Sequence, residues 1–273
     1  MTVVQSSAAV QTADGFEESL PAPESLRPWI AEVGRIPVLT HVPTHFTHVP
    51  QAVTTLVLRT EPSGRRDALV VGPRTRATYA GAKEPAGCLR LRLAPGAVLP
   101  LFGVAATDLT NRVLRLVDMP GPAADLAREI TGMDLDDVVP FLESTLPQVL
   151  SESATRREHR RLLDSAVAAI DGDATPLRDV ATRLAVSERQ LRNLFTAGVG
   201  VSPKHYARIT RVRQVIGAAG NTPWSDIAVA TGYYDQSHLT ADFRSLMGVT
   251  PDRFFKGKLP EPTACQSVTT LAG

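Results

Sequence analysis

The sequence predicts an α+β chain: a β-rich N-terminal domain with covering helices, then an all-helical domain built from one helical unit used twice. Three observations carry this. Residues 21–118 contain short β-branched or alternating runs punctuated by Pro and Gly. Helical periodicity takes over from about residue 97. Most tellingly, the pattern Leu191, Phe195, Gly200-Val201-Ser202-Pro203 and Tyr206 recurs as Leu239, Phe243, Gly248-Val249-Thr250-Pro251 and Phe254. Every pair is offset by 48 residues, and a fixed offset marks a repeated supersecondary unit.

Taken in order, residues 1–20 mix small and acidic residues without period and are expected to form a mobile tail. Thr54 to Leu58 and Ala68 to Val71 predict short strands. From Cys88 to Leu93 the chain alternates, placing leucines on one face and Arg90 and Arg92 on the other. The two arginines could clamp an anion inside a barrel, but alternation favours a solvent face for them. Pro95-Gly96 ends that strand. Such strands build a compact barrel or sandwich.

Residues 97–150 predict helices, one starting near Thr107 or Asp108 and running to Met119, one near Pro122, and one at the acidic run Asp134, Asp136 and Asp137. They cover the β-rich part, bridge to the next domain or pair with another subunit. Residues 152–170 form a basic amphipathic helix leading into the repeat, and Leu259 to Gly273 is expected to fray. The resulting boundaries are a tail at 1–20, a β-rich sensory or assembly domain at 21–150, a repeat-containing domain at 151–258 and a second tail at 259–273.

Each copy of the repeat has the grammar of a helix-turn-helix. In the first, Pro176 suits an opening helical turn, and Leu177, Val180, Ala181 and Leu184 fall at i, i+3, i+4 and i+7. Ser187 caps a second helix that buries Leu191, Leu194 and Phe195 and exposes Arg189, Gln190, Arg192 and Asn193. In the second, Pro223 opens a helix, Gly232 breaks it and Asp235 caps the next. The offset before the turn is 47 (Asp226 against Asp179), so the second copy has one extra turn residue. Such outer faces, rich in Arg, Asn, Gln, Ser and His, suit reading base edges in a major groove.

The charge distribution agrees. Residues 151–258 carry 16 Lys and Arg against 11 Asp and Glu, the remainder 13 against 17, so the basic character sits with the repeat. Cys88 and Cys265 stand alone without a metal-binding or disulfide spacing. No apolar run approaches the ~18 residues of a membrane span and the N-terminus lacks a signal pattern, which predicts a cytoplasmic protein with no membrane partner. His41, His45 and His48 cluster within eight residues. On a strand His48 would point away from the other two, and Pro43 and Pro50 favour loop structure, so no metal site is expected. No catalytic constellation and no cofactor motif stands out.

Residues 176–255 resemble the DNA-binding domain of AraC-type transcriptional regulators. The run from Ile227 to Phe255 is very close to that family's C-terminal signature, and Tyr206 to Gly220 fits its linking helix. The resemblance implies two helix-turn-helix units with recognition helices at 187–197 and 235–246, placed in successive major grooves of double-stranded DNA about one turn (~34 Å) apart. It puts Arg189, Arg192 and Asn193, and in the second helix Gln236, Ser237, His238 and Thr240, at base-facing positions. Arg178, Lys204, Arg208 and Arg244 are expected to contact phosphates and to set affinity rather than sequence. Ala241 departs from the basic or polar residue usual in the family, which makes the second helix the weaker reader. Arg211 and Arg213 serve either DNA or ion pairs with Asp226 or Asp179. A fainter resemblance of the N-terminal part, including Val70 to Pro73 and Leu91 to Ala97, to the domain found in some such regulators implies a cupin-like barrel. It leaves room for a small-molecule effector there and for a homodimer. The alternative is a cupin-type metal-dependent enzyme with an appended helix-turn-helix module.

Overall fold

The computed structural model describes residue 10 and residues 12–37, 45–60, 64–81, 87–150, 153–173, 176–220, 222–262 and 268–269. The strands are β1 (Glu18–Pro21), β2 (Ile30–Ile36), β3 (His45–His48), β4 (Thr55–Thr60), β5 (Arg66–Val71), β6 (Thr78–Gly81), β7 (Cys88–Leu93) and β8 (Val113–Arg115). Six form an antiparallel sheet in the order β1-β2-β7-β4-β5-β8, and β3 pairs with β6 in a separate antiparallel ribbon. These two sheets stand where a cupin-like barrel was expected. Helices α1 (Val98–Phe102), α2 (Ala106–Leu109), α3 (Ala123–Ile130) and α4 (Leu135–Val149) follow. The α+β layout is as the sequence predicts.

The leucines of β7 enter the N-terminal core with Leu56, Leu58 and Val70. Leu126, Ile130, Val138, Leu142 and Leu146 from α3 and α4 join the same core, so these helices cover the sheet. Asp134 sits at the N-cap of α4 with Asp136 and Asp137 in its first turn, where acidic groups offset the positive end of the helix. The predicted helix from Thr107 to Met119 is corrected. It ends at Leu109, Asn111 turns the chain at φ 59°, and residues 113–115 instead extend the sheet against Leu69–Val71.

Two further expectations are overturned together. Residues 12–20 are not a loose tail: Ala13–Phe16 form a 3-10 turn and β1 pairs with β2. This segment covers the polar face of β7, so Arg90 and Arg92 are each only 9% exposed rather than solvated. Glu17 accepts from Arg90 at 2.6 Å and from Arg92 at 2.7 and 2.8 Å, with Ser19 and Glu32 completing the Arg92 contacts. Alternation locates two faces; it does not say what covers the second.

The C-terminal domain comprises α5 (Ala154–Asp173), α6 (Leu177–Arg183), α7 (Glu188–Val199), α8 (Pro203–Ala218), α9 (Trp224–Ala230), α10 (Gln236–Met247) and α11 (Pro251–Phe255). Its first unit packs Leu191, Phe195 and Val199 against Leu163, Ala166 and Ile170 of α5. Its second packs Ile227, Leu239, Phe243 and Phe254 against Ile209, Val212 and Val215 of α8, with Trp224 partly buried beside them. Val49 and Tyr79 of the N-terminal domain belong to that second cluster, so the domains share a core. Leu259, placed in the expected C-terminal tail, also packs partly buried there, and the Thr269 backbone donates to Val113 at 2.7 Å. Residues 263–267 and 270–273 of that tail, and residues 1–9, lie outside the described residues.

Candidate nucleic-acid interface

The repeat is visible in the capping geometry. Ser187 accepts from the Gln190 amide at the start of α7, and Asp235 from the His238 amide at the start of α10. Each satisfies a backbone donor that the helix leaves open. Both helices end on a left-handed glycine, Gly200 at φ 92° and Gly248 at φ 74°. Ser202 and Thr250 then cap α8 and α11, each followed by Pro. All three pairs keep the offset of 48.

The turns between helices differ by one residue, and its identity follows from the backbone. Val186 N donates to Ala181 O in the first unit, as Tyr233 N does to Ala228 O in the second. The left-handed turn residues are Ala185, φ 54°, and Gly232, φ 73°. Ser187 follows Val186 directly, whereas Tyr234 intervenes before Asp235. The extra residue is Tyr234, and it is 90% exposed.

On α7 the side chains of Arg189, Arg192 and Asn193 are exposed together, with Arg192 paired to Glu188 one turn earlier. On α10 Gln236, Ser237 and His238 are exposed, Thr240 is half-buried and Ala241 is exposed. The His238 ring meets Tyr233 edge-on at 5.2 Å. Arg178, Lys204 and Arg244 are exposed.

Arg208, expected on a phosphate, is engaged elsewhere. Its Nε donates to Asp242 Oδ1 at 2.5 Å and its Nη2 to Ser245 Oγ at 3.1 Å. Tyr233 donates to the other Asp242 oxygen at 3.1 Å, and Asp242 is 7% exposed. A buried carboxylate needs such partners, which is why Arg208 is drawn inward. Burial and the Asp242 charge push the Tyr233 pKa up. Arg213 does form an intramolecular ion pair, but with Asp14 at 3.0 Å, and also donates to Pro50 O at 3.3 Å. Arg211 lies over the Tyr233 ring at 5.0 Å. Burial alone would raise the Asp14 pKa; the guanidiniums of Arg213 and Arg90 outweigh it and hold it below the usual carboxylate range.

The connection between β5 and β6 runs between the two helical units, a contact no sequence signal announced. A Cβ on Gly200 would meet Pro73 Cγ at 2.7 Å and Ala106 O at 2.8 Å, and Thr110 donates to Gly200 O at 2.7 Å. Burial lowers the His205 pKa, with Arg208 and Arg76 adding to the effect; its hydrogen bond to the Thr75 backbone and the Asp242 charge oppose it. Ala77 N donates to Leu246 O at 2.8 Å and Tyr79 Oη to Met247 O at 2.5 Å. The C-terminal ends of both exposed helices are thus held by one domain.

Residues 180–257 match a family model described as a helix-turn-helix domain. They are an AraC-type helix-turn-helix domain. The chain is accordingly a DNA-binding transcriptional regulator. Solved structures similar to it include a probable AraC family transcriptional regulator from Rhodopseudomonas palustris, with 18% identity over 37% of this chain and 99% of that one and a TM-score of 0.32. The DNA-binding domain of AdpA in complex with a target DNA has 18% identity, 37% and 91% coverage and a TM-score of 0.32. ToxT from Vibrio cholerae has 11% identity, 84% and 98% coverage and a TM-score of 0.40. No curated protein matches the chain.

Away from the exposed N-terminal turns of α7 and α10, a cavity of about 790 Å³ lies between the N-terminal domain and α5, α7 and α8. Among the described residues no group of three His, Cys, Asp or Glu is placed to hold a metal, and no helix is long and apolar enough to cross a membrane. His41 and the His45 side chain lie outside those residues.

Proposed function

We propose that the chain regulates transcription in the cytoplasm by laying α7 and α10 in successive major grooves of one duplex. The observation that supports this most is the pair of equally capped helices, each with its polar N-terminal turns exposed and its C-terminal end fixed. Arg189, Arg192 and Asn193 read bases from α7; Gln236, Ser237, His238 and Thr240 do so from α10. Arg pairs with guanine O6 and N7, Asn with adenine N6 and N7. Arg192 must first leave Glu188, which costs little because exposed i,i+4 pairs are worth only ~0.3–0.5 kcal/mol. Arg178, Lys204 and Arg244 hold phosphates and set register without reading sequence. Arg208 supports the fold of the second unit through Asp242.

Changing Arg192 to Ala in the full chain tests the reading role. Base preference is expected to relax at one position by ~1–3 kcal/mol. An unchanged preference across a randomised site library would contradict it.

The domains act as a sensory or assembly part at 21–150, with residues 12–20 added to it, and a DNA-binding part at 151–258. A small-molecule effector fits the cavity between them, whose wall includes Val199 at the end of α7, Tyr206 and Ile209 of α8 and the charged Asp14, Arg92 and Arg213. An effector there would bear on the first recognition helix directly. Mass spectrometry of the full-length protein released from its native state would reveal a co-purifying compound. A homodimer would place two such units on a repeated site. The metal-enzyme alternative has the histidine cluster alone in its favour.

A further inference from the structure

Arg76 belongs to the N-terminal domain but stands beside the second recognition helix. Its neighbour Ala77 is bonded through its backbone to Leu246 O at 2.8 Å. Arg76 lines one groove together with Ala241, Arg244 and Ser245 of α10, and its charge is felt by His205 at the start of α8. The loop that carries it is braced on every side. Arg74 exchanges two backbone hydrogen bonds with Gln51, and the Thr75 amide and hydroxyl both donate to Asn111 Oδ1 at 2.9 and 3.0 Å. The Asn111 amide in turn donates to Pro73 O at 2.7 Å. The Arg76 backbone is therefore flanked on both sides by hydrogen-bonded residues.

The side chain, by contrast, is exposed. Among the described residues neither Arg76 nor Arg244 makes an ion pair, and the nearby carboxylate of Asp242 is already held by Arg208 and Tyr233. Two uncompensated guanidiniums therefore flank the outer face of α10 where Ala241 offers only a methyl. Two like charges lining one groove repel, weakly in water, and an anion entering the groove is attracted to both. A duplex that accepts α10 in its major groove brings a line of phosphates to that place, one charge per ~1.7 Å of helix axis.

We propose that Arg76 is a DNA-phosphate contact, so that the N-terminal domain takes part in the DNA interface and supplies beside α10 the cation that Ala241 lacks. This rests on the α10-in-groove reading above. A phosphate contact carries no sequence information of its own; Arg76 contributes affinity and register to the second half-site.

The test uses the full chain and three variants, Arg76→Ala, Arg244→Ala and the double variant, with Arg128→Ala as a control for loss of one exposed positive charge that does not line the groove. Affinity for a duplex is measured from low to moderate salt. Arg76→Ala is expected to reduce the slope of log affinity against log salt by about one and to weaken selected and random duplexes by the same factor, with the double variant losing about two. Arg128→Ala is expected to leave the slope as it is. A slope for Arg76→Ala equal to wild type, or a loss confined to one base position, overturns the proposal while α10 remains in the groove. Absence of salt-dependent duplex binding by the wild-type chain would instead overturn the DNA-binding reading and this proposal with it. Unfolding curves of the exposed-site variants, expected to overlay the wild type, separate binding from folding.

Discussion

The Tyr79 hydroxyl on β6 donates to the Met247 carbonyl at the C-terminal end of α10, 2.5 Å away, with the ring buried in the core of the second helix-turn-helix unit. A side chain of one domain thereby closes a helix of the other. Helix C-termini leave carbonyls without intrahelical partners, and here a buried phenol satisfies one of them. Burial pushes the Tyr79 pKa upward, so the hydroxyl stays a donor at any working pH. Replacing Tyr79 with Phe keeps the ring and removes the donor. Stability is expected to fall by about 1–3 kcal/mol in denaturant unfolding, with helical content unchanged.

Asp242 holds two partners at once, Arg208 and Tyr233, from α8 and from the turn before α10. Asp242→Ala leaves a guanidinium and a phenol without their acceptor. Breaking one side of a buried pair costs about 3–5 kcal/mol, and unfolding of the full chain should show a loss of that size. A loss below ~1 kcal/mol, the value of an exposed pair, would mean that Arg208 is free for phosphate after all.

The glycines and the turn alanine give a graded series. Ala185 pays for a left-handed backbone of roughly 1–2 kcal/mol; Ala185→Gly removes that strain and is expected to stabilise by about 0.5–1 kcal/mol after the added chain entropy. Gly248→Ala meets only backbone strain, because nothing lies within 4 Å of a new Cβ, whereas Gly200→Ala also collides with Pro73 and the Ala106 carbonyl. Gly200→Ala should therefore cost clearly more in the same unfolding assay. Equal losses would mean that the domains do not pack at Gly200.

His205 gives the contact a pH dependence. Its neutral form is favoured by burial, so the folded pKa lies below the unfolded value of about 6.5. Its contribution to stability is full above ~6.5 and is lost as pH falls through the folded pKa, since the unfolded chain then binds the extra proton. The charges of Arg208 and Arg76 oppose its protonation; the hydrogen bond to the Thr75 backbone and the Asp242 charge favour it, and burial outweighs them. His205→Gln is expected to flatten the stability difference between about pH 7.5 and 5.5 relative to wild type.

Lys204 is exposed at the first turn of α8. Lys204→Ala should weaken all duplexes alike and lower the salt slope by about one. A change at a single base position would count against its phosphate role.

Much of this was legible in the chain. The offset of 48 fixes the caps Ser187 and Asp235, the glycines Gly200 and Gly248, and the apolar faces, because local chemistry and periodicity determine all of them. What was hidden depends on long-range packing. Nothing around Arg90 and Arg92 says that Glu17, more than 70 residues away, lies over them. Arg208 looks like any basic residue on a helix until Asp242, 34 residues on, is brought beside it. The loop from Pro73 to Ala77 carries no motif, and only the folded chain sets it between the two helical units.

Selection of bound duplexes from a random library by the purified full-length protein, at physiological salt, is the most direct test of the two-groove mode. The account predicts an asymmetric motif of two blocks centred about 10 base pairs apart, the block read by α7 the more sharply defined because α10 carries Ala241. A motif of one block only, or no enrichment for any sequence, would contradict it.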